Sequence, residues 1–278
     1  MKICVSAEST IDLPKELLNK YKINTTPFGI NFNDKLVEDK EGISKEIFEF
    51  VDKTKILPKT SAVSPDQYAK YFKELKEKYD AIVHISISSQ MSCAYNNANL
   101  IASEMENVFI IDSKNLSTGI ALLAIYARGL VDDGCSLEDV VRLTTEKVDK
   151  VRVSFVLDQL KYMHKGGRCN AVTLLGANLL KIKPQIVVNN GKMSVGKKYR
   201  GVLGKVINTY IDDVLAEMVS PDKSLVFITH SSSMPEEEKS VEEKLKDAGF
   251  KTIHNTFAGG TVCSHCGPGC LGVLYLEK

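Results

Sequence analysis

The sequence lacks the features that would direct it to nucleic acid or into a membrane. Its 36 lysines and arginines almost balance its 35 aspartates and glutamates, so there is no net basic field to attract nucleic acid or an anionic surface. The richest apolar run, residues 120–127, is far shorter than the roughly 20 residues that a membrane-spanning helix needs. The sequence therefore disfavours both a nucleic-acid-binding protein and a membrane-spanning protein.

The sequence also lacks the marks of an exported, disulfide-bonded protein. Its seven cysteines are odd in number and scattered, which is typical of reduced thiols rather than of a disulfide framework. The first residues, MKICVSAEST, carry one basic residue, and Glu8 interrupts their apolar run. We therefore expect no signal peptide and no lipidation signal, and a soluble cytoplasmic protein.

What the sequence does contain is a regular alternation of short β-branched runs with amphipathic helices. This pattern predicts an α/β fold with a mainly parallel sheet. A length of 278 residues is enough for two lobes of ordinary domain size. We predict an N-terminal doubly wound α/β domain over residues 1–153, with a β-hairpin excursion near residues 23–40, and a C-terminal α+β domain over residues 154–278.

Local signals predict a few elements directly. Ser64 and Pro65 mark the start of a helix, whose apolar residues then recur at helical spacing. These residues form one stripe that should face the core: Tyr68, Tyr71, Phe72, Leu75 and Tyr79. Further on, KGGRCNAVTLLGANLL predicts short helices, and PQIVVNNGKMSV predicts a β-hairpin.

The segment TVCSHCGPGCLGVLY groups three cysteines and a histidine beside a Gly-Pro-Gly turn. Cys263, His265, Cys266 and Cys270 are residue types that zinc accepts, but no second pair of ligands follows at the spacing of a structural site. A redox pair and small packed thiols are the other interpretations, and the packed thiols are favoured for the last two cysteines. The glycines around Pro268 let the backbone come close to a ligand beside His265.

Two hydroxyl-rich stretches predict an anion site. Thr60 and Ser61 lie in a loop directly ahead of a helix. Ser92 follows a buried strand and opens another helix, which places it at the carboxyl end of a parallel strand, where doubly wound sheets bind ligands. None of these serines lies in the G-x-S-x-G turn of a hydrolase, so binding is favoured over covalent catalysis. A glycine turn, KGGR, presents Arg168.

These stretches, taken in order over essentially the whole chain, resemble the DegV family of bacterial fatty-acid-binding proteins. ESTIDLP is similar to D-S-x-x-D-L-P, with Glu8 in place of aspartate. PKTSAVSP is similar to P-x-T-S-Q-P-S, and SSQMSCAYNNA to S-S-x-x-S-G-T-Y-x-x-A, with Cys93 and Ala94 replacing Gly-Thr. KGGR, LLKIKPQIVVNNGKM and HCGPGCLGV follow the family pattern closely.

The resemblance implies a protein without enzymatic activity, metal or cofactor that encloses one long-chain fatty acid between its two domains. It further implies that a separate ATP-dependent kinase subunit converts the bound carboxylate to an acyl phosphate, and it allows transient membrane contact. Mapped onto this sequence, the expected ligand-binding residues are Thr60, Ser61, Ser92, Arg168 and His265. Arg200 falls in the family's basic stretch after the hairpin, where the kinase subunit is expected to dock.

Two other functions remain open at this level. One is a small-molecule hydrolase or transferase that uses a serine with His265. The other is a metal or redox protein built on Cys263 and Cys266. The departure at Cys93 and Ala94 also leaves the ligand preference open, because Ala94 cannot replace a threonine that positions the head group.

Overall fold

The structure, a computed structural model, describes residues 1–33, 35–169 and 182–278. Its strands are β1 (Ile3–Glu8), β2 (Ile23–Thr26), β3 (Gly29–Phe32), β4 (Lys35–Glu38), β5 (Lys59–Ser61), β6 (Ala81–Ser86), β7 (Val108–Asp112), β8 (Val151–Leu157), β9 (Lys183–Asn189), β10 (Lys192–Tyr199), β11 (Pro221–His230), β12 (Thr252–Phe257) and β13 (Cys270–Glu277). Its α-helices are α1 (Lys15–Lys20), α2 (Ile43–Thr54), α3 (Pro65–Lys76), α4 (Ala94–Ala102), α5 (Thr118–Asp132), α6 (Leu137–Lys147), α7 (Leu160–Gly166), α8 (Leu203–Glu217), α9 (Pro235–Asp247) and α10 (Gly260–Cys266).

A four-stranded parallel sheet organises the first half of the chain. Its strand order is β2-β1-β6-β7, and every neighbouring pair is parallel. Both β1 and β6 are buried along their whole length, as expected for strands that are covered on both faces. The predicted parallel α/β architecture is confirmed.

A small antiparallel sheet, β4-β3-β5, accounts for the hairpin excursion. The hairpin itself runs over residues 29–38, because Ile23–Thr26 pairs in parallel with β1 and so belongs to the larger sheet. The apolar side of this small sheet packs on α2 through Ile30, Ile43 and Ile47. Its edge strand β5 carries Thr60 and Ser61.

A separate six-stranded sheet, in the order β10-β9-β8-β13-β11-β12, organises the second half. All of its neighbouring pairs are antiparallel except β11 with β12. The predicted domain boundary at residue 153 falls inside β8, and the division of the chain into two domains stays a prediction. Helices α8 and α9 pack on this sheet around a second core that contains Val206, Tyr210 and Val241.

Helix α5 lies between the two large sheets and contacts both of them. Its residues Ile120, Leu123 and Ala124 are fully buried, so the richest apolar run of the sequence serves the core. Within the described residues, no helix combines the length and the apolar character that crossing a bilayer requires.

Two locally predicted elements are confirmed. Helix α3 starts after Ser64 with a capping box to Gln67. Of its predicted apolar stripe, Tyr68, Phe72 and Leu75 are buried, whereas Tyr71 and Tyr79 are half-buried and Tyr79 lies beyond the helix. The hairpin between β9 and β10 turns at Asn190 and Gly191, which both have positive φ. The short helices predicted over residues 165–180 stay a prediction, because α7 ends at Gly166 and residues 170–181 lie outside the described residues.

Candidate functional site

A cavity of about 310 Å³ lies where the small sheet, both large sheets and α10 meet. Its wall includes all five residues that the sequence predicts as ligand-binding: Thr60, Ser61, Ser92, Arg168 and His265. The structure therefore brings together predicted residues from four separate segments of the chain. Their role in binding a ligand stays a prediction.

His265 occupies the centre of the polar part of this wall. Helix α10 carries the imidazole, whose Nε2 lies 3.0 Å from Oγ1 of Thr60. The Nδ1 atom is buried and has no hydrogen-bond partner among the described residues. Burial, together with the positive charge of Arg168, lowers the pKa of the His265 imidazole to about 4. The imidazole is therefore neutral at neutral pH.

The glycine turn predicted before Arg168 makes room for the His265 ring, a contact that the sequence does not reveal. A methyl group at Gly166 would come within 3.0 Å of Nδ1 of His265, so only glycine lets the ring pack there. Gly167 follows with a φ of 68° and ends α7 in the left-handed conformation. Arg168 is exposed and donates a hydrogen bond to the Gly166 carbonyl at 2.9 Å.

The cavity is polar at its open end and apolar inside. Ser61, Cys93 and Arg168 are exposed at the opening. The inner wall consists of buried apolar side chains, among them Phe28, Ile87, Met91, Leu116, Met163 and Val262. Such a cavity suits a ligand with a polar head near solvent and an apolar tail.

A much narrower cavity, of about 20 Å³, continues from the inner wall. It shares Leu116, Val262 and Cys266 with the larger one and reaches the six-stranded sheet at Phe155 and Leu274. These three shared side chains therefore stand between the two spaces.

The hydroxyl groups that follow β6 have different roles. Ser92 is half-buried on the cavity wall, and its Oγ accepts a hydrogen bond from the Ala94 amide at 3.2 Å. Ser88 instead donates to the Gly191 carbonyl at 2.7 Å, and Ser89 donates to Asp112 at 2.5 Å. The hydroxyls of Ser88 and Ser89 therefore make hydrogen bonds within the fold.

Two aspartates that sequence reasoning missed hold the N-terminus of α10. Asp12 accepts from the Gly259 amide at 2.8 Å. Asp39 accepts from the Gly260 amide at 2.7 Å and from the Thr261 amide at 3.0 Å. The sequence does carry a signal for such partners: Gly259 and Gly260 begin α10 and supply no capping side chain, so the cap must come from elsewhere in the chain.

The substituted Glu8 belongs to a buried network beside the site. Its carboxylate accepts from Tyr68 at 2.7 Å, from Ser86 at 2.6 Å and from the Ile87 amide at 3.0 Å, and it pairs with His84 at 3.2 Å. Burial alone would raise the pKa of Glu8, but His84 and the hydrogen bonds outweigh it and hold that pKa below its usual range. The network fixes the end of β6 just before the cavity wall.

The cysteines near His265 are buried within the fold. Burial raises the pKa of the Cys263 thiol well above its usual range, and a hydrogen bond with Cys266 together with burial does the same for Cys270. In the described part of the chain, no group of three or more His, Cys, Asp or Glu side chains is arranged to hold a metal ion. This arrangement is that of packed, unreactive thiols.

Comparisons with known proteins cover the whole chain. The family model described as "Uncharacterised protein, DegV family" matches residues 2–278. A Thermotoga maritima protein named fatty acid-binding protein is 28% identical over 283 residues, which is 98% of this chain and 96% of that protein.

Two solved structures share the fold over their full lengths. A DegV family protein from Thermus thermophilus, described by its fatty acid binding, superposes with a TM-score of 0.92 at 24% identity, covering 100% of both chains. DegV of Bacillus subtilis, described as a fatty acid binding protein, has a TM-score of 0.85 at 26% identity, again over 100% of both chains.

Proposed function

The chain belongs to the DegV family, and from that premise we propose that it binds one long-chain fatty acid in the 310 Å³ cavity and presents the carboxylate to a separate kinase subunit. One observation carries this proposal. The five residues expected at the head group border a single cavity whose exposed end is polar and whose interior is apolar. The chain itself would catalyse no reaction.

The head-group end suits a carboxylate. A carboxylate removed from water must be compensated by hydrogen bonds. Because Nδ1 of His265 faces Gly166 and has no acceptor there, the imidazole proton belongs on Nε2, where it is donated to Thr60. The Thr60 hydroxyl then keeps its own proton for the ligand. Ser61 and Ser92 add two more hydroxyls, and Arg168 adds a positive charge at the opening.

The interior suits an acyl tail. Each buried CH₂ group contributes about 0.8 kcal/mol, so a chain of about 14 to 18 carbons supplies on the order of 10 kcal/mol before ordering costs are subtracted. The main cavity lies near the lower end of the roughly 300–1,000 Å³ that ligand sites occupy. The narrow space beyond Leu116, Val262 and Cys266 offers a path for the end of a longer tail.

Presentation to a kinase requires an accessible carboxyl group and a docking surface. The exposed opening at Ser61 and Arg168 meets the first requirement. Arg200 is exposed directly after β10, a strand whose Met193 lines the cavity. We propose Arg200 as a contact for the kinase subunit and the cytoplasm as the site of action. A transient membrane contact would serve ligand uptake.

The central test is lipid analysis of the purified protein. Solvent extraction and mass spectrometry should recover a long-chain fatty acid, and lipid-free protein should bind palmitate or oleate. Repeated recovery of lipid-free protein that binds neither acid would overturn the proposal. For the kinase step, Arg200→Ala should reduce acyl phosphate formation and leave fatty acid affinity unchanged. Loss of both together would place Arg200 in folding or in the pocket instead.

The hydrolase alternative is weaker on the same geometry. A general base needs a proton affinity near neutrality and a nucleophile within hydrogen-bond reach. His265 has a pKa of about 4, and its Nε2 is engaged by Thr60. A serine-directed phosphonate should therefore leave Ser61 and Ser92 unlabelled, whereas rapid labelling of either serine would favour the hydrolase.

A further inference from the structure

Helix α10 is held at its N-terminus by two carboxyl groups that come from the other half of the chain. Asp12 lies 247 positions from Gly259 in the sequence, and Asp39 lies 221 positions from Gly260. Both aspartates are only 5% exposed. Ser117 donates to Asp12 at 2.5 Å and Ser9 donates to Asp39 at 3.2 Å, so hydroxyls brace the two carboxyl groups.

Neither carboxyl group borders the fatty acid cavity. The cavity meets α10 on residues from Thr261 to Cys266, and within that stretch His265 lies about 7.5 Å along the helix from Gly260 at 1.5 Å per residue. Asp12 and Asp39 instead border a separate groove of about 850 Å³ on the other side. A helix of seven residues is too short to fix its own direction, so contacts at its ends decide where His265 points.

We propose that Asp12 and Asp39 are positioning residues that lock α10 and thereby hold His265 against Thr60. The inference rests on the proposed function, because its consequence is fatty acid affinity. It goes further by assigning a task to two buried acids that do not line the cavity.

Asp12 is an acid whose protonation the fold changes. Burial, together with the charge of Asp39, raises the pKa of Asp12 to about 8, although the Ser117 and Gly259 hydrogen bonds act in the opposite direction. At neutral pH Asp12 is therefore mainly the neutral acid. Cys263 faces the pair from α10, and five exposed charged residues line the adjoining groove: Lys15, Glu38, Lys40, Glu41 and Lys45.

The hydrogen bonds make the two asparagine variants unequal, because Asp12 accepts one backbone amide whereas Asp39 accepts one on each oxygen. In Asp12→Asn the amide oxygen accepts from Gly259 and the amide nitrogen donates to Ser117, whose rotatable hydroxyl turns to accept, as it must when Asp12 is the neutral acid protonated on Oδ2. In Asp39→Asn one amide hydrogen must face the Gly260 or the Thr261 amide, so a hydrogen bond is replaced by two opposed donors.

The experiment measures displacement of a fluorescent fatty acid between pH 6 and 9. At pH 7, Asp12→Asn should bind within about twofold of wild type, and Asp39→Asn should bind about tenfold more weakly. Wild-type affinity should fall as the pH rises through about 8, and Asp12→Asn should lack this step. Titration of the fatty acid itself affects both proteins equally and cancels in the comparison. Asp247→Asn, an exposed change at the end of α9, is the matched control.

A second measurement works without ligand and separates this inference from the proposed function. Between the ordinary pKa of 3.8 and about 8, folded Asp12 binds a proton that the unfolded chain releases, so wild-type stability should fall as the pH rises through this window. Asp12→Asn should show a flatter profile. If wild type binds no fatty acid at any pH, the proposed function fails while this stability comparison still tests the acids.

Two outcomes would overturn the inference. The first is an equal pH dependence of wild type and Asp12→Asn in both measurements. The second is an Asp39→Asn protein that is less stable but binds fatty acid like wild type with an unchanged His265 ring signal in NMR, because the acids would then only stabilise the fold.

Discussion

Gly166→Ala would place a methyl group where the imidazole of His265 now packs. The added carbon would lie within 3.0 Å of Nδ1 and 3.3 Å from Cε1 and Cγ. Optimal packing distances are about 3.5–4.0 Å, so the ring must withdraw by about 1 Å. The contact between Nε2 and Thr60 is 3.0 Å long, and a shift of this size would break it.

The magnitude follows from three opposing effects. Replacing a helical glycine by alanine stabilises by about 0.5–1 kcal/mol. Overpacking costs about 1–3 kcal/mol, and the lost hydrogen bond costs about 0.5–1.5 kcal/mol. We therefore expect Gly166→Ala to lower the free energy of unfolding by about 1–3 kcal/mol and to weaken fatty acid binding about tenfold.

The assay combines chemical unfolding with displacement of a fluorescent fatty acid. Gly129→Ala is the matched control, because Gly129 lies in helix α5 and a methyl group there would meet nothing within 4 Å. That variant should gain about 0.5–1 kcal/mol and bind like wild type. If Gly166→Ala behaves like Gly129→Ala in both assays, the packing of His265 on Gly166 does not support the site.

Other residues give predictions that can be checked separately. The pKa of His265 is about 4 in the folded protein against an ordinary value of 6.5, so unfolding takes up a proton between these two pH values. Urea unfolding should therefore show that the stability of wild type falls from pH 6.5 to 4, and that it falls less in His265→Gln. Cys93 is the exposed cysteine, so a thiol reagent should label it first and bound fatty acid should slow the labelling; equal rates would place the ligand elsewhere. Tyr210→Phe removes a buried hydroxyl that is hydrogen-bonded to the Ser154 carbonyl at 2.7 Å and to the Val273 amide at 3.0 Å. The change should lower the free energy of unfolding by about 1–3 kcal/mol and leave fatty acid affinity unchanged, and a loss below about 0.5 kcal/mol would contradict this.

The sequence supports local predictions best where short-range chemistry is decisive. The cap at Ser64 and the turn at Asn190 and Gly191 are correct because capping and positive φ depend on a few adjacent residues. The hairpin predicted near residues 23–40 is narrower in the structure, since Ile23–Thr26 looks like any short β-branched strand until β1 pairs with it. Pairing partners are distant in sequence and leave no local pattern.

For the candidate site, the sequence by itself determined which residues carry hydroxyl, imidazole and guanidinium groups, and the family resemblance selected among them. Only the tertiary structure decided that Thr60 and His265, 205 positions apart, share a hydrogen bond. It also decided that Gly166 must lack a side chain and that Asp12 and Asp39 hold α10. The physical reason is that packing and capping across the fold depend on distances in space, which are set only when both halves of the chain are in place.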